Sequence, residues 1–188
     1  FFKAPIYKII NITPYNTRHI IHNTGYNEAK KLYKHLYKLL EKATPIGVDC
    51  GQLCNGACCE GDGETGMYLF PFEECMYDGT EDWLKIYDSD FIFKGKPVKI
   101  AICNGTCDRK KRPLSCRIFP LFKIDGELKN DLRAVHICPL AKGNITLEEY
   151  DRTFVENTKK VFNILEKFGI TKDYLKETEN IIEEFKIF

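Results

Sequence analysis

Nine cysteines fall between positions 50 and 138, and their spacing constrains this chain more than any other feature. The first group is Cys50-Gly-Gln-Leu-Cys54-Asn-Gly-Ala-Cys58-Cys59. The second is Cys103-Asn-Gly-Thr-Cys107, followed by Cys116 and Cys138. In a small secreted chain such cysteines read as disulfides. Here the odd count pairs incompletely, and the opening Phe-Phe-Lys-Ala-Pro lacks the features of a signal peptide. The expectation is a cytoplasmic protein whose cysteines are metal ligands or redox centres.

Close pairs with intervening glycine suit a metal, because the chain must turn tightly for two thiolates to point inward. Gly51, Gly56 and Gly105 reach backbone angles closed to other residues. The expected ligands are Cys50, Cys54, Cys58, Cys59, Cys103, Cys107, Cys116 and Cys138. Eight thiolates suffice for two four-thiolate sites, or for one site plus reactive thiols. Adjacent side chains in extended backbone diverge, so Cys58 and Cys59 more naturally serve two neighbouring sites. Cys75 sits apart, among aromatic neighbours and without a glycine turn, and reads as a buried thiol filling space. Zinc ribbons favour C-x2-C pairs, whereas these are C-x3-C. Cys138-Pro139 resembles the final ligand of ferredoxin-type clusters, so an iron–sulfur cluster is preferred to zinc. The basic run from Arg109 to Arg112, with Arg117 beyond it, would offset the negative charge of a thiolate site; Arg112 and Arg117 are the expected partners.

Around the cysteines the chain is globular in character. Hydrophobic residues make up 44%, enough for a core, and the net charge of +1 gives no reason to expect nucleic acid or an anionic membrane as partner. No apolar run approaches the roughly 18 residues of a membrane-spanning helix. Three segments have helical periodicity. The first is Asn27–Lys42, with Ala29, Leu32, Tyr33, Leu36 and Leu40 on one face and Asn27 as N-cap. The second starts at Thr146, whose pairing with Glu149 is a capping-box pattern, and stops at Gly169. The third begins near Thr171. Two hairpins are expected, turning at Gly95 and at Asp125-Gly126. The predicted fold is α+β: a small, loop-rich, metal-organised cysteine core with short hairpins, flanked by an N-terminal helix and two C-terminal helices. One domain over 1–188 is expected, with 47–140 as the metal-binding core and 1–46 and 141–188 as flanks. In such a core metal binding would supply folding free energy.

The Cys58-Cys59 pair, then Cys107, then Arg112-Pro-Leu-Ser-Cys116-Arg-Ile-Phe-Pro120 resemble the YkgJ-type cysteine-cluster family, a zinc- or iron-chelating domain. The resemblance covers about half the chain, from Cys50 to Leu140. Its opening pairs depart from the family's usual C-x2-C. Some members are named as flagellin lysine N-methylases, so the resemblance implies either a metal-binding protein with a structural, electron-transfer or sensory role, or a cluster-dependent methyltransferase or oxidoreductase. A protein partner or substrate is compatible with both.

Weaker sites remain. His19 and His22 are three apart and offer a zinc reading without acidic or cysteine partners. His136 precedes Cys138 by two residues; a hydrogen-bonded strand histidine is the blander reading. Asp62, Glu64, Glu73 and Glu74 would do acid–base work beside a metal, or form a solvated acidic loop.

Overall fold

A computed structural model describes residues 23–59, 63 and 65–185. The chain is α+β and divides into two compact units. Within the described residues one unit takes in 23–38 and 59–115, and the other 39–58 and 116–185. The cysteine-bearing middle therefore contributes to both.

The first unit is built on a three-stranded antiparallel sheet, β1 (Met67–Tyr68), β2 (Leu84–Phe93) and β3 (Lys96–Cys103), in the order β1-β3-β2. Lys94 and Gly95 both take positive φ, which matches the twist of the two strands they join. The hairpin starts earlier than its sequence suggests: Leu84 pairs with Cys103 and Phe93 with Lys96. A bulge between Asp88 and Ile92 interrupts the ladder. There the buried Ser89 hydroxyl donates to Val98 O at 2.7 Å and accepts from Phe91 N at 3.3 Å, which gives these two backbone groups a partner. At Gly66 a Cβ would lie 2.4 Å from Ala101 O, so only glycine lets this segment enter β1. Leu69, Tyr77, Trp83, Leu84 and Ala101 form an apolar cluster, with Cys103 and Cys107 packed against it.

Helix α1 (Asn23–Leu39) begins four residues before the expected cap, and Asn27 lies inside it. Tyr33, Leu36 and Tyr37 lie buried on one face, followed by Leu40 just past its end, at the spacing of a 3.6-residue period. Tyr37 reaches the residue that organises this unit. Glu73, in a 3-10 turn over Glu73–Met76, is fully buried. Its Oε1 accepts from Tyr37 Oη at 2.7 Å and from Leu114 N at 2.6 Å; its Oε2 accepts from Phe70 N at 2.9 Å. Tyr37 Oη also meets Tyr77 Oη at 2.9 Å, and Tyr77 Oη donates to Lys111 O at 2.9 Å. The expected solvated acidic loop is, at this position, a buried carboxylate with three donors.

The second unit pairs a hairpin with two helices. Strands β4 (Leu121–Ile124) and β5 (Glu127–Asn130) turn at Asp125-Gly126, both at positive φ. A 3-10 turn (Leu132–His136) follows, capped by Asp131, which accepts from Arg133 N and holds the Arg133 guanidinium. The short helix α4 (Pro139–Lys142) leads towards α5 (Arg152–Leu165) and α6 (Gly169–Glu184). Here α2 denotes Gly51–Cys54 and α3 Leu114–Ile118. Phe122 meets Phe162 edge-on at 5.2 Å, Lys123 pairs with Glu166, and Glu179 accepts from Asp125 N, so the hairpin lies on α5 and α6. The Thr146–Glu149 capping contact forms, with Thr146 N donating at 2.7 Å, but it closes a turn. The helix starts later, where Asp151 accepts from Phe154 N. Gly169 does not end the chain's helical course; it opens α6.

The expectation of a metal-organised core is overturned. Among the described residues no group of three or more His, Cys, Asp or Glu side chains is placed to hold a metal ion. Buried aromatic and aliphatic side chains and the Glu73 carboxylate occupy the interior instead. Glu73→Ala would take the acceptor from two backbone N–H groups, each worth about 1–3 kcal/mol when left unsatisfied, while the Tyr37 phenol keeps Tyr77. The expected loss is about 2 kcal/mol or more in urea unfolding; a change within about 0.5 kcal/mol would contradict the role given to Glu73.

Candidate functional site

All nine cysteines are free thiols in the structure. In the second unit Cys50 precedes α2 and Cys54 ends it, so the C-x3-C spacing here is one helical turn. Gly51 is helical rather than left-handed, and the Cys54 thiol turns back to Cys50 O at 3.7 Å. Cys58 is exposed on a 3-10 turn over Ala57–Cys59. Cys116 lies half-buried in α3, and Arg117 beside it is buried. Cys138 is the residue before α4. Its neighbourhood is a polar cluster: Tyr150 Oη donates to Asn130 Oδ1 at 2.5 Å, and Asn130 Nδ2 donates to Ile145 O at 2.9 Å. Burial, then the Cys138 charge, holds the Tyr150 phenol well above its ordinary range.

In the first unit Cys103 ends β3, opposite Leu84. Cys75 is buried, as its aromatic surroundings suggest. Burial, then the Glu74 charge, pushes its thiol up to about 12. Cys59 and Cys107 are brought together. Their thiols are in hydrogen-bond contact. That hydrogen bond, then burial, then the charge on Cys59 push the Cys107 thiol far above its ordinary value, with Arg112 and Arg109 opposing. Cys107 is thus the member held in its protonated form.

Two touching thiols are a different object from a metal centre, which takes about four donors, or three and an open position. The eight cysteines Cys50, Cys54, Cys58, Cys59, Cys103, Cys107, Cys116 and Cys138 form no such group among the described residues. The iron–sulfur and zinc expectations are withdrawn on that geometry, and with them the metal-dependent structural, electron-transfer, sensory and enzymatic functions. No family model, curated protein or solved structure matches the chain, so the YkgJ-type resemblance is not upheld either. His136 is exposed at the end of its 3-10 turn rather than in a strand. His19, His22, Asp62 and Glu64 lie outside the described residues.

Sequence reasoning missed Glu73, although two signals pointed to it: tyrosines four apart on α1, and an acidic residue directly after an apolar run. Arg112 and Arg117 were expected beside a metal–thiolate site, and no such site forms among the described residues.

Two pH effects follow. The raised Cys75 value contributes stability that is complete below the unfolded thiol's titration, near about 8.5, and is lost as pH climbs towards 12. Unfolding midpoints should therefore fall more steeply between about pH 8 and pH 10 in the wild type than in Cys75→Ala; equal slopes would contradict the assignment. For the pair, Cys59→Ala removes the groups that raise Cys107. Alkylation of Cys107 should then shift to lower pH, read by mass spectrometry; an unchanged profile would show that the two thiols do not interact.

Proposed function

We propose that this chain is a thiol-based redox protein in which Cys59 and Cys107 cycle between dithiol and disulfide. The observation that carries the reading is the hydrogen bond between their two thiols. They are far apart in sequence, so a disulfide would close a long loop in the first unit. The raised Cys107 thiol suits the resolving role and leaves Cys59 as the attacking sulfur.

The chemistry is a thiol–disulfide exchange with a low-molecular-weight disulfide. The Cys59 thiolate attacks one sulfur, that S–S bond breaks, and half of the molecule departs as thiolate. Cys107 then gives its proton to a departing thiolate as its sulfur attacks the Cys59 sulfur. The second half leaves, and a Cys59–Cys107 disulfide remains. Two electrons pass from the protein to the small disulfide, which ends as one thiol and one thiolate that takes its proton from water.

Nine free cysteines suit a reducing compartment such as the cytoplasm. Among the described residues no helix is long and apolar enough to cross a membrane, and the partner required is a small thiol–disulfide couple rather than nucleic acid. Treatment of the full chain with a mild disulfide, followed by blocking and peptide mapping, should return Cys59–Cys107 as the first intramolecular crosslink, with Cys75 unmodified. A first crosslink elsewhere, or mixed disulfides on Cys59 that Cys107 never resolves, would overturn the proposal.

A further inference from the structure

Two cavities flank the hairpin of the second unit. One, of about 440 Å³, is lined by Lys123, Glu127, Lys159 and Asn163, with Phe162 among its apolar walls. The other, of about 370 Å³, is largely aliphatic, with Ile124, Leu132, Val135 and Ile145 in its lining. Leu128 and Leu147 line both, so the two adjoin. The wall between them is held in place. Asn130 Nδ2 donates to Ile145 O at 2.9 Å, and Asn130 Oδ1 accepts from the buried Tyr150 phenol at 2.5 Å. Leu147 follows Ile145 by two residues, and Leu128 precedes Asn130 by two on β5.

Charge distinguishes the two. Beside the aliphatic cavity Asp125 and Lys129 pair with each other at 2.9 Å. In the polar one Lys123 is committed to both Glu166 oxygens, at 2.6 and 2.7 Å. Glu156, three residues before Lys159 on α5, is taken by Arg152 at 2.7 Å. Lys159 acts on Glu148 through space without an ion pair. That leaves the exposed Lys159 ammonium and the exposed Glu127 carboxylate, neither within 4.0 Å of an opposite charge among the described residues. Asn163, one turn after Lys159, puts an amide on the same helix face.

We infer that the two cavities together take a small zwitterion with an aliphatic side chain, of the α-amino acid class. One cation and one anion on the wall of the same cavity match a carboxylate and an ammonium carried on one carbon. A ligand with a single charge would leave one of them unanswered. The carboxylate meets Lys159 and the Asn163 amide, and the ammonium meets Glu127. The neighbouring cavity offers aliphatic lining and no charge outside the Asp125–Lys129 pair, so the side chain passes Leu128 and Leu147 into it.

The test titrates the isotope-labelled full chain with four probes and follows the amide signals of Gly126, Leu128 and Leu147. Leucine carries both charges and the side chain; leucinamide lacks the carboxylate, N-acetylleucine lacks the ammonium, and alanine lacks the aliphatic tail. Leucine should bind tightest, alanine about tenfold more weakly, and the other two about threefold more weakly, the scale of exposed charge pairs. Lys159→Gln should bring leucine down to the level of leucinamide and leave leucinamide unmoved. Glu127→Gln should do the same for leucine against N-acetylleucine. Both positions are exposed, so both variants keep the fold. No shift at these amides with leucine, equal affinities for the four probes, or a charge preference that survives both substitutions would overturn the inference.

Discussion

The first unit depends on one buried carboxylate. A charge moved from water into a protein interior costs several kcal/mol unless donors replace its hydration. Glu73 has three: the Tyr37 phenol from α1, Phe70 N from its own turn, and Leu114 N from the far side of the cysteine loop. Each comes from a different stretch of chain, so the group works as a fixed junction rather than as one contact among many. Tyr77 extends the junction to Lys111. The stretch 111–114 is thereby held at both ends, and the loop that carries Cys107, Arg109 and Arg112 inherits that rigidity. The placement of Cys107 is a consequence of a glutamate more than thirty residues away in sequence.

That arrangement gives the cysteines unlike roles. Cys75 sits beside Glu73 and is silenced by burial. Cys59 and Cys107 lie in contact, with the Cys107 thiol held in its protonated form. In the second unit Cys54 is occupied with its own helical turn and Cys138 stands beside a Tyr150–Asn130 cluster. The physical reason that spacing misled is specific. C-x3-C places two thiols at i and i+4, which is compatible with a chelating loop and equally with one turn of helix. At Cys50 and Cys54 the helix forms, with Asn55 and Gly56 taking the left-handed angles after it.

Elsewhere the legible parts were those set by local chemistry. Lys94-Gly95 and Asp125-Gly126 mark their hairpins because so few residues accept positive φ in sequence. The apolar faces of α1 and α5 follow from their period. Boundaries were less legible, since a local contact need not start an element: Thr146 and Glu149 engage, yet Asp151 caps the helix. Glycine likewise permits both an end and a start, and Gly169 is a start. Glu73 was hidden for a different reason. A carboxylate among other acidic residues looks solvated until its donors are known, and two of its three come from residues 36 and 41 positions away.

The central claim, that Cys59 and Cys107 act as one redox unit, is tested most directly by equilibrating the full chain in thiol–disulfide buffers of graded potential and alkylating each state for mass spectrometry. The account predicts that Cys59 and Cys107 lose reactivity together in a single two-electron transition, with Cys75 unreactive to the alkylating agent throughout. Separate transitions for the two cysteines, or the joint transition of another pair at a lower potential, would contradict it.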